Sequence, residues 1–355
     1  MNTNQIKKIY ENSGSNDQLR TEVFTKKLME MINSDKSALT VDDMSIKSLH
    51  EAVSSKQFPI IMGTLLSKVM IESYNNAALI GDALTTKFKS NIADENVPAA
   101  TLKSSIGEIK ELQNYKHTGD IQEKYVTISH KKYGEILDIS EEALKFDRTG
   151  LILLTARDYA TKLANLREKL ILNAIQDVAD YYAWYPSGTR AAMYSTGTTA
   201  PHVCSNQITN ALADYTDLDA AKVLFGKVTD DEGDVISVMP KTLLVPVALD
   251  TIARRLVGNS VLPGASNAES NPFKGAYNVL SSSYLDAQSS IIWYLGDFQK
   301  QFLWKEVTPL QVQTRNDSNN EAAWNNDIAA SFKIRFDGQC RSRDFRYVVK
   351  STGVS

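Results

Sequence analysis

The chain has 355 residues, of which 43% are hydrophobic and 23% are charged, so it has the length of two or three domains and the composition of a folded protein. The 39 Lys and Arg residues against 42 Asp and Glu residues leave a formal net charge of -3, which argues against a dedicated nucleic-acid-binding protein. No apolar run reaches the roughly 18 residues that a membrane span requires, and the N-terminus lacks the apolar core of a secretory signal. These features predict a soluble intracellular chain with no membrane partner.

Residues 1–90 predict an N-terminal arm that carries helices. A capping pattern at Ser15 and Gln18 begins an amphipathic helix over residues 15–33. A second helical stretch begins at Phe58, and its apolar stripe consists of Ile61, Leu65, Val69 and Met70. Apolar residues are too sparse in this region to form the core of an independent domain.

Residues 91–139 alternate polar side chains with single apolar ones and have little helical periodicity. Residues 123–129 follow the two-residue alternation of a strand, and Gly107, Gly119 and Gly134 mark candidate turns. No face of this stretch is apolar enough to be buried in a core. The pattern predicts a long two-stranded arm, which is marginally stable alone and therefore has to lie on another surface.

The strongest helical pattern follows Gly150 and ends before Pro186. Its apolar residues recur at steps of three and four: Ile152, Ala156, Tyr159, Leu163, Leu166, Leu170, Ala174 and Val178. A helix of about thirty residues is about 45 Å long, well beyond the usual globular length. Five charged residues lie off this stripe and are expected to face solvent or a neighbour: Arg157, Lys162, Arg167, Glu168 and Lys169.

The C-terminal half mixes short strands with helices. We predict a strand over residues 242–247, a helix over residues 248–257 and an exposed loop rich in Gly, Ser, Asn and Pro over residues 258–275. Further short strands are predicted around residues 277–282, 290–295 and 306–314.

The end of the chain predicts a β-hairpin. Residues 331–336 alternate, with Phe332, Ile334 and Phe336 on one face. Asp337-Gly338 is a hairpin-turn signal, and the second strand is predicted from Cys340 to Val349.

A search for catalytic and metal-binding patterns yields no strong candidate. No dinucleotide fingerprint, P-loop, nucleophile elbow or zinc-ligand spacing occurs. Residues 229–234 are rich in carboxylates but lack the ligand pattern of an EF-hand, so a solvated turn is favoured over a metal site. His202 and Cys204 are too close in sequence to be a good nucleophile and base pair. We therefore expect no catalytic residue, no cofactor and no metal ligand.

Six basic residues are concentrated near the C-terminus: Lys333, Arg335, Arg341, Arg343, Arg346 and Lys350. A basic strand pair could touch nucleic-acid phosphate without sequence specificity. The polar face of a half-buried sheet gives the same pattern, and we favour that interpretation.

Four stretches, taken in their order, carry a resemblance to a known family: FPIIMG from Phe58, KKYGEILDISEEAL from Lys131, KTLLVP from Lys241 and FKIRFDG from Phe332. Together with the long polar arm and the rod-like helix, they resemble the major capsid proteins of tailed bacteriophages. The resemblance runs from about Phe58 to Lys350. It implies an α+β fold of the Hong-Kong-ninety-seven type.

The resemblance also implies a division of the chain: an N-terminal arm with helices over residues 1–90, an extended E-loop over 91–139, a peripheral domain with a spine helix over 140–224, a mostly axial domain over 225–325, and return strands of the peripheral domain over 326–355. The E-loop would lie over a neighbouring subunit. Its expected contact residues are Glu111, Tyr115, Lys116, His117, Glu123 and Lys124.

The implied function is structural and not enzymatic. Copies of the chain would self-assemble as pentamers and hexamers into the icosahedral head of a virion, built in the host bacterial cytoplasm around the phage genome. Portal, scaffold and decoration proteins are candidate further partners, and contact with packaged DNA would be non-specific at most.

Other functions stay open at this point. An encapsulin-like compartment shell shares the fold, although the long N-terminal extension fits it less well. A phage tail or adaptor protein would have little need for so long a helix. An α+β hydrolase would need a nucleophile and base pair that the sequence does not supply.

Overall fold

The computed structural model describes residues 58–77, 79–98, 108–111, 114, 125–140, 142, 151–178, 192–197, 202–230, 233–259, 270–315 and 327–353. The chain forms two compact units. Unit 1 comprises Met1–Ala78, Lys132–Leu166 and Thr308–Asp337, and unit 2 comprises Leu79–Lys131, Arg167–Val307 and Gly338–Ser355. The predicted helix over residues 15–33 lies outside the described residues. Within the described ranges, no helix is both long and apolar enough to cross a membrane.

The helices and strands follow one another in this order: α1 (Phe58–Asn75), α2 (Gly81–Leu84), β1 (Thr86–Lys89), β2 (Asp94–Pro98), β3 (Tyr125–Ser129), β4 (Lys132–Ser140), α3 (Leu151–Gln176), β5 (Gln207–Ile208), α4 (Tyr215–Phe225), β6 (Thr242–Pro246), α5 (Val247–Gly258), β7 (Asn278–Ser282), α6 (Ser283–Asp286), β8 (Trp293–Gly296), α7 (Phe298–Gln301), β9 (Phe302–Arg315), β10 (Ile328–Ser342) and β11 (Val348–Ser351).

Unit 1 is built on the antiparallel pairing of β4 with β10. Phe332 lies opposite Leu137 and Phe336 lies opposite Tyr133, and the rings of Tyr133 and Phe336 stack with their centroids 5.3 Å apart. Phe332, Ile334 and Phe336 are all buried, which confirms the predicted alternation of this strand. Helix α1 confirms the predicted second helix, and its stripe residues Leu65, Val69 and Met70 are buried.

The predicted closing hairpin is wrong. Strand β10 runs for 15 residues straight through Asp337 and Gly338, and it pairs with β4 and β9 instead of turning back. A Cβ atom on Gly338 would lie 2.6 Å from Trp304 Cζ2 and 2.9 Å from the Lys305 carbonyl oxygen. Glycine is therefore needed here for close packing against β9, not for a turn.

Unit 2 contains a five-stranded mixed sheet with the strand order β5-β11-β8-β6-β7. Strand β6 pairs in parallel with β7 and antiparallel with β8, and Leu243, Leu244 and Val245 are fully buried as expected of a central strand. Helix α5 is the crossover between the parallel strands β6 and β7. These elements confirm the strand and helix predicted over residues 242–257.

Two further predictions in unit 2 need correction. Strand β11 pairs with β8 in the five-stranded sheet, so it is not the second strand of a hairpin with β10. The loop predicted to be exposed over residues 258–275 is buried at Asn271 and Phe273. Asn271 Nδ2 donates to the carbonyl oxygens of Leu256 and Asn259 at 2.6 and 3.0 Å, which fixes this segment to the end of α5.

The long helix α3 has 26 residues, about 39 Å, and ends at Gln176 instead of continuing toward Pro186. Asp177 follows it with φ of 57°, the left-handed conformation of a helix-ending residue. The N–H of Val178 donates to Asn173 O at 3.3 Å and the N–H of Asp177 donates to Ala174 O at 3.4 Å, the two bonds of a Schellman motif. Glycine is the usual residue in this position, so the Asp residue gave no indication in the sequence that the helix ends here.

Candidate assembly site

Strands β2 and β3 form the base of the predicted two-stranded arm. They pair antiparallel, with Asp94 opposite Ser129 and Pro98 opposite Tyr125. Val126 and Ile128 on β3 are buried, whereas Thr127 and Ser129 are exposed. One face of the hairpin base is therefore packed into unit 2, which corrects the expectation that no face of this stretch can be buried.

A buried lysine fastens this hairpin base. Lys305 on β9 is 0% exposed, and its Nζ atom donates to the carbonyl oxygens of Ile92, Ala93 and Ile128 at 2.7, 3.2 and 3.1 Å. The Glu95 carboxylate lies 3.8 Å from the same Nζ atom. Removing an ammonium group from water is costly, so it is stable in this position only because three acceptors and a carboxylate surround it.

Two backbone bonds add to this attachment. The N–H of Gly338 on β10 donates to Lys131 O at 3.0 Å, and the N–H of His130 donates to Ala93 O at 3.1 Å. Both carbonyl groups lie next to the hairpin strands. The base of the arm is thus held by β9 and β10 together, at the point where Gly338 packs against Trp304.

The C-terminal half of α3 carries a second polar cluster, which the sequence did not reveal. Arg167 and Glu168 are only 8% and 3% exposed, so the prediction that they face solvent or a neighbour is wrong. Glu168 accepts hydrogen bonds from the backbone N–H groups of Ile80 and Gly81 at 3.1 and 2.8 Å, at the start of α2. Arg167 pairs with Asp82 on the same short helix.

The environment of these two side chains is mostly apolar. Burial raises the pKa of the Glu168 carboxyl group, and the two backbone donors oppose that shift. The Arg167 guanidinium lies 5.2 Å from the centroid of the Trp304 ring. Since Trp304 is next to Lys305 in β9, neighbouring residues of one strand contact the C-terminal half of the long helix and the hairpin base.

His202 and Cys204, the base and nucleophile pair considered from the sequence, are both buried. His202 is buried, its Nε2 atom lies 2.8 Å from Ala192 O, and its ring meets that of Phe345 edge-on at 4.6 Å. Burial raises the pKa of the Cys204 thiol and so disfavours the thiolate that a nucleophile requires. In the described ranges, no three His, Cys, Asp or Glu side chains are grouped so as to hold a metal ion.

A profile of the phage capsid protein family matches residues 123–351 of the chain. This chain belongs to the phage capsid protein family. No curated protein matches the capsid chain in sequence.

Solved capsid structures share the fold of this capsid chain. The capsid of a native GTA particle is 14% identical, with 77% of this chain and 89% of that chain covered and a TM-score of 0.51. The capsid of cyanophage P-SCSP1u is 11% identical, with 77% and 88% covered and a TM-score of 0.50. The predicted α+β capsid fold is confirmed, and the encapsulin, tail or adaptor, and hydrolase alternatives are not favoured.

The expected contact residues of the capsid chain's E-loop fall almost entirely outside the described residues. Glu111 is described and is an exposed residue in a turn. The other five lie outside the described residues: Tyr115, Lys116, His117, Glu123 and Lys124. Their role in subunit contact therefore stays a prediction.

The basic residues near the C-terminus of the capsid chain are used partly within the fold. Arg346 is buried, pairs with Asp344 at 3.2 Å and donates from Nε to Thr229 O at 2.9 Å. Arg343 donates to Lys300 O at 3.0 Å. Lys333 is exposed, and Arg335 donates to the Gln311 side chain at 3.1 Å. Arg343 and Arg346 therefore make contacts within the fold from the loop between β10 and β11, whereas Lys333 and Arg335 lie on strand β10.

Proposed function

We propose that this chain is the major capsid protein of a tailed bacteriophage and that its copies assemble, as pentamers and hexamers, into the icosahedral shell of the head. Membership of the phage capsid protein family carries this proposal. The role is mechanical: the chain supplies contacts that close a shell, and we assign it no catalytic activity. Assembly takes place in the host cytoplasm, with portal, scaffold or decoration proteins as further partners and at most non-specific contact with DNA.

We assign the parts of the chain as follows. The E-loop is the hairpin over residues 91–131, shorter than the 91–139 expected from sequence, because β4 pairs with β10 in unit 1. Helix α3 is the spine helix. The axial domain is the five-stranded sheet with its helices, and it includes β11 near the C-terminus.

The attachment of the hairpin supports its role as a contact arm. Its base is fixed by the buried Lys305 through three hydrogen bonds, so a load on the arm is transmitted to β9. The polar sequence that connects β2 and β3 has few apolar residues to bury, so it gains stability from lying on another copy of the chain. We therefore assign the contact residues Glu111, Tyr115, Lys116, His117, Glu123 and Lys124 to an interface between subunits.

Deletion of residues 101–122 tests this function. It leaves a connection of about four residues between the paired positions Pro98 and Tyr125, a length that suits a hairpin. We expect the deletion variant to keep the thermal melting of the full chain but to lose closed particles. In the matched control variant, a Gly-Ser segment of equal length replaces residues 101–122, so the length of the arm is kept while its side chains are lost. This variant should also fail to assemble.

Two outcomes have different meanings. Normal closed particles from the deletion variant would contradict the assignment of the hairpin as a contact arm. A full-length chain that remains a compact monomer would contradict the capsid function itself.

A further inference from the structure

The two most exposed large apolar side chains among the described residues lie close together in unit 2. Met239 is 76% exposed and Val235 is 69% exposed. They lie in a segment outside the helices and strands, in which Val235, Ser237 and Met239 are exposed while Val238 is buried. Residues 235, 237 and 239 therefore form an outward row, anchored by the inward side chain of Val238.

Two carboxylates stand at the start of this row. Val235 bridges Thr229, and the N–H of Asp230 donates to Asp234 O at 2.8 Å, so Asp230 and Asp234 are held side by side next to Val235. Asp230 Oδ1 in turn accepts from the N–H of Asp234 at 2.9 Å. The outward surface is thus acidic at one end and apolar along the rest, and we call it the acidic–apolar row (Asp230, Asp234, Val235 and Met239).

Helix α5 presents a surface of the opposite charge. Its outward residues are Val247, Ala248, Thr251, Arg254 and Arg255, apolar in the first turn and basic in the last. Val247 is 53% exposed. Arg254 already pairs with Asp250 at 2.8 Å, which leaves Arg255 as the exposed cation nearest the helix end. We call this surface the α5 face.

The two surfaces also match in length. The four steps from Val235 to Met239 reach at most about 13 Å, and Val247 to Arg255 spans about 12 Å of helix. The row ends three residues before Thr242, the first residue of β6, and α5 packs on β6 and β7. Because the row and the α5 face are two different surfaces, a contact between them joins copies head to tail, and such contacts form a ring where the rotation between copies closes.

Resting on the proposed capsid function, we propose that the acidic–apolar row of one copy docks on the α5 face of the next copy around a capsomer. Met239 packs against Val247, and Asp234 pairs with Arg255. An apolar contact beside an ion pair has the composition of a specific interface, and the charges fix its direction.

A charge exchange tests the contact. Asp234→Arg and Arg255→Asp each place like charges opposite one another, so each alone should lower the yield of rings and shells by about tenfold or more. The double variant carries the pair in reverse and should recover most of that yield. Lys162→Glu, an exposed charge reversal on α3, is the matched control and should assemble like the unmodified chain. Met239→Asp should abolish assembly in either background.

Sedimentation velocity and thermal melting of each variant separate the outcomes. Melting temperatures equal to that of the unmodified chain, together with rescue in the double variant, support the contact. A double variant no better than the single variants, or single variants that assemble normally, would overturn it while leaving the capsid function intact. Failure of the unmodified chain to form rings or shells would instead contradict the proposed function on which the contact rests.

Discussion

The Nζ atom of Lys305 lies 3.1 Å from the carbonyl oxygen of Ile128. This bond joins the long strand β9 to β3, the second strand of the hairpin base. With its bonds to Ile92 and Ala93, Lys305 holds both sides of the hairpin base. The contact arm that we propose needs a rigid base, and a buried ammonium group with several partners provides one.

Replacement of Lys305 by Met keeps the length and apolar stem of the side chain but removes the ammonium group. Three carbonyl oxygens then lose their donor and Glu95 loses the positive charge 3.8 Å away, so we expect a loss of about 3 kcal/mol in the free energy of unfolding. Urea denaturation measures it. Lys333→Met, an exposed lysine on β10, is the control and should change stability by less than about 0.5 kcal/mol. If the Lys305→Met variant has the same free energy of unfolding as this control, the hydrogen bonds of Lys305 do not contribute to stability.

Two glycines make a matched pair for the packing of β10. Gly338→Ala places a Cβ atom 2.6 Å from Trp304 and should cost about 2–3 kcal/mol of stability, because neither β9 nor the ring can move freely. Gly258, the last residue of α5, has open space around its Cβ position, so Gly258→Ala should stay within about 1 kcal/mol of the unmodified chain. Equal stability changes for the two variants would contradict a close-packing role for Gly338.

The buried His202 predicts a loss of stability in acid. Burial lowers its pKa below the ordinary 6.5, so the unfolded chain takes up the proton first as the pH falls. The stability that neutral His202 contributes is present above pH 6.5 and is lost as the pH falls toward its folded pKa. His202→Gln retains a donor for Ala192 O without titrating. Denaturation at pH values of about 7.5 and about 5.5 should show a smaller loss for this variant; equal losses would exclude His202 as the cause.

Asp177 ends the long helix in a conformation that favours glycine. Its Oδ2 atom accepts from the N–H of Met193 at 2.5 Å, so the side chain compensates for the strained backbone. Asp177→Ala keeps the strain and loses the bond, and it should cost about 2 kcal/mol. Asp177→Gly loses the bond but removes the strain, so its cost should be smaller, about 1 kcal/mol. Thermal denaturation orders the variants, and a Gly variant less stable than the Ala variant would contradict this balance.

Local patterns in the sequence predicted those helices and strands whose signal comes from their own side chains. The apolar run of β6 followed by α5 was found because Pro246 separates a buried strand from an amphipathic helix. The alternation of Phe332, Ile334 and Phe336 gave the buried face of β10 for the same reason. Such signals depend on side chains within one element, and folding does not alter them.

Contacts between distant residues could not be read in this way. Glu168 accepts a hydrogen bond from Gly81, 87 positions earlier, and Lys305 donates one to Ile128, 177 positions earlier. Because these partners are so distant in sequence, the local pattern around Glu168 and Lys305 did not indicate that the two side chains are buried. Gly338 is required for packing against Trp304, but a glycine after Asp has the same appearance as a hairpin turn. Asp337 and Gly338 fit both a hairpin turn and a continuous strand, and only the pairing of β10 with β4 and β9 decides between the two.

The mass of the particles formed by the full chain tests the capsid function most directly. Sedimentation velocity and negative-stain images of the purified chain give mass and shape on one sample. Sixty copies of 39.4 kDa, the smallest closed icosahedral shell, weigh about 2.4 MDa. We expect closed particles at or above that mass, or rings of five or six copies where a scaffold is lacking. A stable, compact monomer of 39.4 kDa at all concentrations would contradict the assignment.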